Sequence, residues 1–319
     1  MRIVDGREAL RSLARSNRQD PSNLDAASAT LVGVFDGVHL GHLRLLHELI
    51  QLGSAVGALP TVVTFRNHPD ELLRGRNVEW IVSLPHRLRL LRRAGVGRVV
   101  LLDFDRALQL LSAAEFTTEV LVDGLATKAL LLGYDAAIGR DREGGLDRMQ
   151  ELGAQFGFLV RQGSRVTVDG QPISSTAIRA AIQSGDLRQC HRMLGRWPQA
   201  FGEIVHGDGR GRTLGFPTAN LIPDSRILPP DGVYAVEVLL DGNTHEGVAN
   251  LGARPTFGAD ANARRLEVHL LDFAGDLYGM TLELSFLARL RDQRRFADQG
   301  ALSAQIADDV ANARRFFAR

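Results

Sequence analysis

Cysteine and lysine are almost absent from this 319-residue chain: Cys190 and Lys128 are the single examples. A lone thiol excludes an intramolecular disulfide and a cysteine-based metal centre, and it fits a reducing cytoplasm. Arginine supplies nearly all of the 38 basic side chains. A Walker-type lysine clamp is therefore excluded, and any phosphate must be met by Arg, His, backbone N–H groups or Mg²⁺. Aromatic residues are only 6 % and the formal net charge is +1. A duplex-binding protein carries a larger or more polarised positive excess, with aromatic and basic residues interleaved, so no nucleic-acid partner is expected. No apolar run approaches the ~18 residues of a membrane helix. Met1 to Arg18 is polar and Arg-rich without an apolar stretch, so neither a signal peptide nor a membrane partner is expected.

What is present is a globular composition, 45 % hydrophobic and 24 % charged, in a chain long enough for two domains. The first half alternates short apolar runs with helical periodicity. Ala29–Phe35, Pro60–Phe65, Arg98–Asp103, Lys128–Gly133 and Gly157–Arg161 read as strands. Helices are expected where Leu43, Leu46, Leu49 and Ile50 recur, at an Arg-studded segment from Leu84 to Ala94, and at Ala113–Leu125. Strands alternating with helices predict an α/β, doubly wound parallel sheet.

Near Gly195 the pattern changes. Phe201–Val205, Val233–Leu240, Thr244–Asn250, Leu266–Leu271 and Thr281–Leu287 read as strands with no helix between them, and Asp241-Gly242 is a hairpin signal. An antiparallel, barrel-like domain is expected, closed by a helix with Leu302, Ile306, Val310, Ala313 and Phe317 on one face. The boundary falls at Gly195 to Gln199, giving domains 1–194 and 195–319.

Two stretches carry chemistry. Gly33-Val34-Phe35-Asp36-Gly37-Val38-His39-Leu40-Gly41-His42 follows the first strand and opens the first helix, at the strand end where α/β sheets bind ligands. The spacing puts His39 and His42 on one helix face, beside N–H groups suited to a triphosphate. Ile173-Ser174-Ser175-Thr176-Ala177-Ile178-Arg179 offers hydroxyls and N–H groups at another helix start, with Arg179 one turn in. These elements, with Thr64-Phe65-Arg66-Asn67-His68-Pro69 between them, resemble the FAD-synthetase module of bacterial bifunctional flavin-cofactor enzymes, within the HxGH nucleotidyltransferases. The resemblance implies a Rossmann-like nucleotidyltransferase domain in which FMN attacks the α-phosphate of ATP, with Mg²⁺. It assigns His39, His42 and Ser175 to the triphosphate and His68 and Asp135 to the adenylate region. Gly33, Phe35, Asp36, Gly37, Ser174, Thr176 and Arg179 join them as nucleotide-binding residues.

In the second half, Gly207 to Asn220 reads GDGRGRTLGFPTAN. Its glycines permit close approach to phosphate, and Arg210 and Arg212 add charge, although the run is not a P-loop. Thr218 and Asn220, two apart, offer hard oxygen donors on one side of an extended strand. Glu267 and His269 share one face of a later strand. This loop, the Gly247–Thr256 segment, Leu266–Phe273 and Asp276–Gly279 occur in the order of riboflavin kinases and resemble them. The resemblance implies Glu267 as general base for the riboflavin 5′-hydroxyl. Thr218 and Asn220 would hold Mg²⁺ and phosphate, and Gly209, Arg212 and Gly215 would bind nucleotide.

The two resemblances together imply phosphorylation of riboflavin to FMN and adenylylation of FMN to FAD; the oligomeric state stays open between a monomer and a weak homo-oligomer. Four departures matter: Asp135-Ala136-Ala137-Ile138-Gly139 where relatives carry an aromatic-rich stretch, Asn67 for Pro, Gln293 for Glu and Trp197 for Pro. The first is expected to weaken FMN binding and Gln293 to touch the flavin side of the kinase site. A kinase with a degenerate N-terminal domain, and a non-catalytic flavin or nucleotide sensor, remain as alternative readings.

Overall fold

The computed structural model describes residues 1–19, 27–206, 215–240, 242–253 and 264–318. They form two compact units. One comprises Met1–Val78 and Leu84–Ile173; the other comprises Glu79–Ser83 and Ser174–Arg319.

The first unit is built on six parallel strands: β1 (Arg2–Asp5), β2 (Ser28–Val32), β3 (Leu59–Phe65), β4 (Arg98–Leu102), β5 (Thr127–Leu132) and β6 (Leu159–Gln162). Their spatial order is β1-β4-β3-β2-β5-β6. The sheet winds outward in both directions from the β2/β5 pair, so its topological switch point lies at the carboxyl end of β2. The apolar runs are buried parallel strands, as expected; β4 is buried at every residue. Helices α1 (Gly6–Gln19), α2 (Leu40–Val56), α3 (Pro69–Arg74) and α4 (Leu84–Arg93) come from the first 93 residues. Buried Leu46, Leu49 and Leu52 seat α2 on the sheet. Then follow α5 (Arg106–Leu110), α6 (Ala113–Phe116) and α7 (Leu146–Phe156).

Three details differ from the sequence reading. The polar N-terminus forms β1 and α1, with β1 pairing in parallel with β4. The first predicted strand stops at Val32, three residues short of Phe35. The helix expected at 113–125 is α-helical only to Phe116 and π-helical from Thr117 to Gly124.

The second unit opens with α8 (Ser175–Ser184) and α9 (Leu187–Leu194). Six antiparallel strands then close a barrel: β7 (Gln199–Val205), β8 (Ala219–Pro223), β9 (Gly232–Leu240), β10 (Asn243–Ala253), β11 (Arg264–Leu270) and β12 (Thr281–Arg291). Alternation sets their faces: Leu266, Val268 and Leu270 are buried inward with Tyr234, Val236 and Phe286, while Glu267 and His269 face out. The hairpin between β9 and β10 is where Asp241-Gly242 predicted it. Gly242 has φ +85, and Asp241 lies outside the described residues. The closing helix, α10 (Gln299–Phe317), packs Val310, Ala313 and Phe317 on Val233, Val248 and Leu271. Asp309 fixes it by a two-pronged ion pair with Arg291, at 2.8 and 2.7 Å.

Candidate functional site

Gly33 to His39 is a loop joining β2 to α2, and its backbone is bent into rarely occupied conformations. Phe35 (φ +55), Gly37 (+76) and Val38 (+39) all have positive φ. A β-branched Val at positive φ persists only where its surroundings over-determine it, and such residues cluster at functional sites. His39 is the N-cap of α2 rather than a residue of its first turn, which corrects the shared-helix-face expectation. Its Nδ1 accepts from the His42 N–H at 3.3 Å, and the two rings stack 3.7 Å apart. Gly41 makes that cap possible, because a Cβ there would meet the His39 ring at 3.1 Å. The histidine pair thus sits where the free N–H groups of a 17-residue helix converge.

Two residues expected to bind nucleotide have buried side chains. Phe35, 1 % exposed, lies 5.1 Å from the His42 ring and supports it from beneath. Asp36, also 1 % exposed, faces Arg87. Arg87 was not singled out in the sequence. From α4 its guanidinium donates to the carbonyls of Val34, at 2.9 Å, and Phe65, at 2.5 Å. One buried cation thus ties the carboxyl ends of β2 and β3. Burial lowers its pKa to about 10, opposed by the Asp36 charge, so it stays protonated at neutral pH.

His68 caps α3, its Nδ1 accepting from the Asp70 N–H at 3.1 Å. The preceding Asn67 pairs both amide groups with the Phe104 backbone, at 3.0 and 2.8 Å, two bonds that Pro could not make. Asp135 is exposed, and its carbonyl accepts from Arg142 at 2.5 Å. Ile138 is buried in the core, and half-buried Ala136 packs against the same cluster.

Ser174 to Arg179 belong to the second unit. Ser174 caps α8, its Oγ accepting from the Ala177 N–H at 3.2 Å, and Arg179 donates from Nε to the Glu79 carbonyl at 2.9 Å. Ser175 is half-buried and Thr176 exposed at the helix start.

On the barrel, register does the assembling. Glu267 of β11 lies opposite Asn220 of β8 on one side and Asn250 of β10 on the other. These three side chains form a polar row on the outer face, and Thr218 lies two residues before Asn220, just ahead of the strand. Asn250 in turn accepts from Gln293 Nε2 at 3.0 Å, and the same nitrogen reaches the Leu251 carbonyl at 3.1 Å. Gln293 therefore contacts Glu267's neighbour in the row. Gly215 has φ +83. Gly209, Arg210 and Arg212 fall in 207–214, and Arg254 to Thr256 in 254–263, both outside the described residues.

Two family models match the chain: FAD synthetase over residues 21–177 and riboflavin kinase over residues 194–317. A bifunctional riboflavin kinase/FMN adenylyltransferase from Pseudomonas fluorescens is 43 % identical over 89 % of this chain and 91 % of its own. The chain belongs to this bifunctional family. The Escherichia coli K12 member is 40 % identical over 90 % of this chain and 91 % of its own. A solved structure from Streptococcus pneumoniae, described as a macrolide-efflux protein, shares the fold with TM-score 0.79 and 32 % identity. It covers 90 % of this chain and 94 % of that one. The efflux name belongs to that protein; among the described residues here, no helix is long and apolar enough to cross a membrane. The family's adenylylating half carries the His39–His42 loop, and its kinase half carries the Glu267 row.

Proposed function

We propose that the two activities of this family are carried by two separate constellations in this chain. Riboflavin is phosphorylated on the outer face of the barrel. Its 5′-hydroxyl attacks the γ-phosphorus of ATP, Glu267 takes the proton, and ADP leaves as the bond to the bridging oxygen breaks. The observation that supports this reading is the register that sets Glu267 beside Asn220. The Thr218 hydroxyl and Asn220 amide oxygens are hard donors that fit Mg²⁺; they would hold it, and it would offset phosphate charge. Gly209, Arg212 and Gly215 are assigned to nucleotide binding by family resemblance. FMN is then adenylylated at the β2–α2 loop. Its phosphate oxygen attacks the α-phosphorus of a second ATP, and pyrophosphate leaves without a covalent intermediate. His39 and His42, with the N–H groups of α2, hold the triphosphate. His68, Asp135, Ser174, Ser175, Thr176 and Arg179 are assigned to nucleotide binding by family resemblance.

Paired variants test the division. Glu267→Gln should lower FMN formation by about 10²–10⁴-fold and leave FAD formation from added FMN intact. Replacing His39 and His42 together by Ala should do the reverse. Normal phosphorylation by the first variant, or loss of both activities in a folded second variant, would contradict it.

A further inference from the structure

His269 shares the outer face of β11 with Glu267, two residues along the strand. Its ring is engaged: Nδ1 lies 2.8 Å from the Pro217 carbonyl oxygen. A carbonyl only accepts, so Nδ1 carries the proton. Phe216 meets the same imidazole edge-on, with centroids 5.8 Å apart. Pro217 immediately precedes Thr218, and β8 begins at Ala219. The hydrogen bond therefore fixes the backbone at the point where the glycine-rich loop enters its strand.

We propose that His269 is a positioning residue of the kinase site, holding the Pro217 carbonyl so that Thr218 and Asn220 are presented beside Glu267. The proposal rests on the reading of Glu267, Thr218 and Asn220 given above. One strand then carries both the base and the anchor of the phosphate-side oxygens. The distance between those two functions is set by a two-residue strand repeat, ~6.6 Å, which is stiff along the strand. Asn220 is held on both sides by strand pairing, whereas Thr218 lies one residue ahead of that pairing and depends more on the anchor. A misplacement of about 1 Å at such groups costs on the order of 10²-fold in rate.

Two substitutions separate the hydrogen bond from the packing. His269→Asn keeps a side-chain N–H donor at the δ position and removes the ring. His269→Phe keeps a ring for Phe216 and removes the donor. Both are assayed in the full chain for KM of ATP and kcat in riboflavin phosphorylation, for FAD formation from added FMN, and for melting temperature. The expected result is a KM for ATP raised about tenfold or more, with reduced kcat, in His269→Phe, and values near wild type in His269→Asn. Adenylylation and melting temperature should be unchanged in both. Wild-type kinetics for both variants would overturn the proposal, as would equal impairment of both or impairment of His269→Asn alone. Glu267→Gln run in parallel keeps the failures distinguishable. If it is inactive while His269→Phe is normal, only the positioning role falls; if it phosphorylates normally, the underlying site reading falls.

Discussion

At the residue scale, the adenylylation loop depends on a cation whose partners the helix pattern hid. Arg87, Arg89, Arg92 and Arg93 occupy one short helix, and Arg87 is the one that spacing puts on the face of buried Leu90 and Leu91. Its partners, the Val34 and Phe65 carbonyls, are set by two other elements and are not legible in that spacing. Arg87→Met would leave both carbonyls without this donor and Asp36 without its facing charge. FAD formation should fall by about 10²-fold or more while FMN formation continues, measurable in one reaction by chromatography. Arg87→Lys restores charge but not the fork, and should fall between wild type and Met. His39 shows the same limit of spacing arguments. The H-x-G-H pattern located the pair and the anion-binding helix start, but the cap geometry depends on the positive-φ turn before it. Glu267 and Asn220 were legible as strand-alternating polar residues, whereas Thr218, expected on the same strand as Asn220, precedes it. Asn250 was not singled out, and Gln293 was expected on the flavin side rather than on Asn250, because cross-strand register is invisible in a single sequence.

At the scale of elements, the closing helix is joined to the barrel unit by two two-pronged ion pairs among the described residues, exposed Arg314–Asp272 and the more buried Arg291–Asp309. The Arg291–Asp309 pair is two-pronged, with Asp309 buried, and Gln305 adds a bond to the same carboxylate at 2.8 Å. Asp309→Ala leaves the guanidinium uncompensated, and Arg291 retains some access to water. A loss of about 3 kcal/mol is expected in denaturant unfolding, at the low end for breaking a buried pair. Riboflavin phosphorylation should weaken with it, because Gln293 lies two residues beyond Arg291. The apolar face of this helix was readable from its period, whereas β1 was not. Four residues with one buried side chain give no periodic signal, and their pairing with β4 spans almost a hundred positions.

At the scale of the whole molecule, the sequence placed one boundary near Gly195, and the compact units divide differently. The second unit includes α8, α9 and the segment Glu79–Ser83, drawn from far upstream. Within that unit, the Ser225 Oγ donates to the Trp80 carbonyl at 2.6 Å, Ile81 and Val82 are buried, and Leu187 joins the barrel core. Such a segment cannot be found from composition, because its partners lie about 145 residues away. A fragment starting at Ser174 should therefore melt at a higher temperature than one starting at Gly195, as buried Leu187 alone contributes about 1.5–3 kcal/mol. Equal melting temperatures would show that the two helices do not support the barrel.

The central claim is that both steps from riboflavin to FAD run on this one chain. A time course with purified protein, riboflavin, ATP and Mg²⁺, resolved by chromatography, tests it most directly. FMN should appear first and FAD should follow as FMN accumulates. Accumulation of FMN with no FAD, even when FMN is added at high concentration, would contradict it.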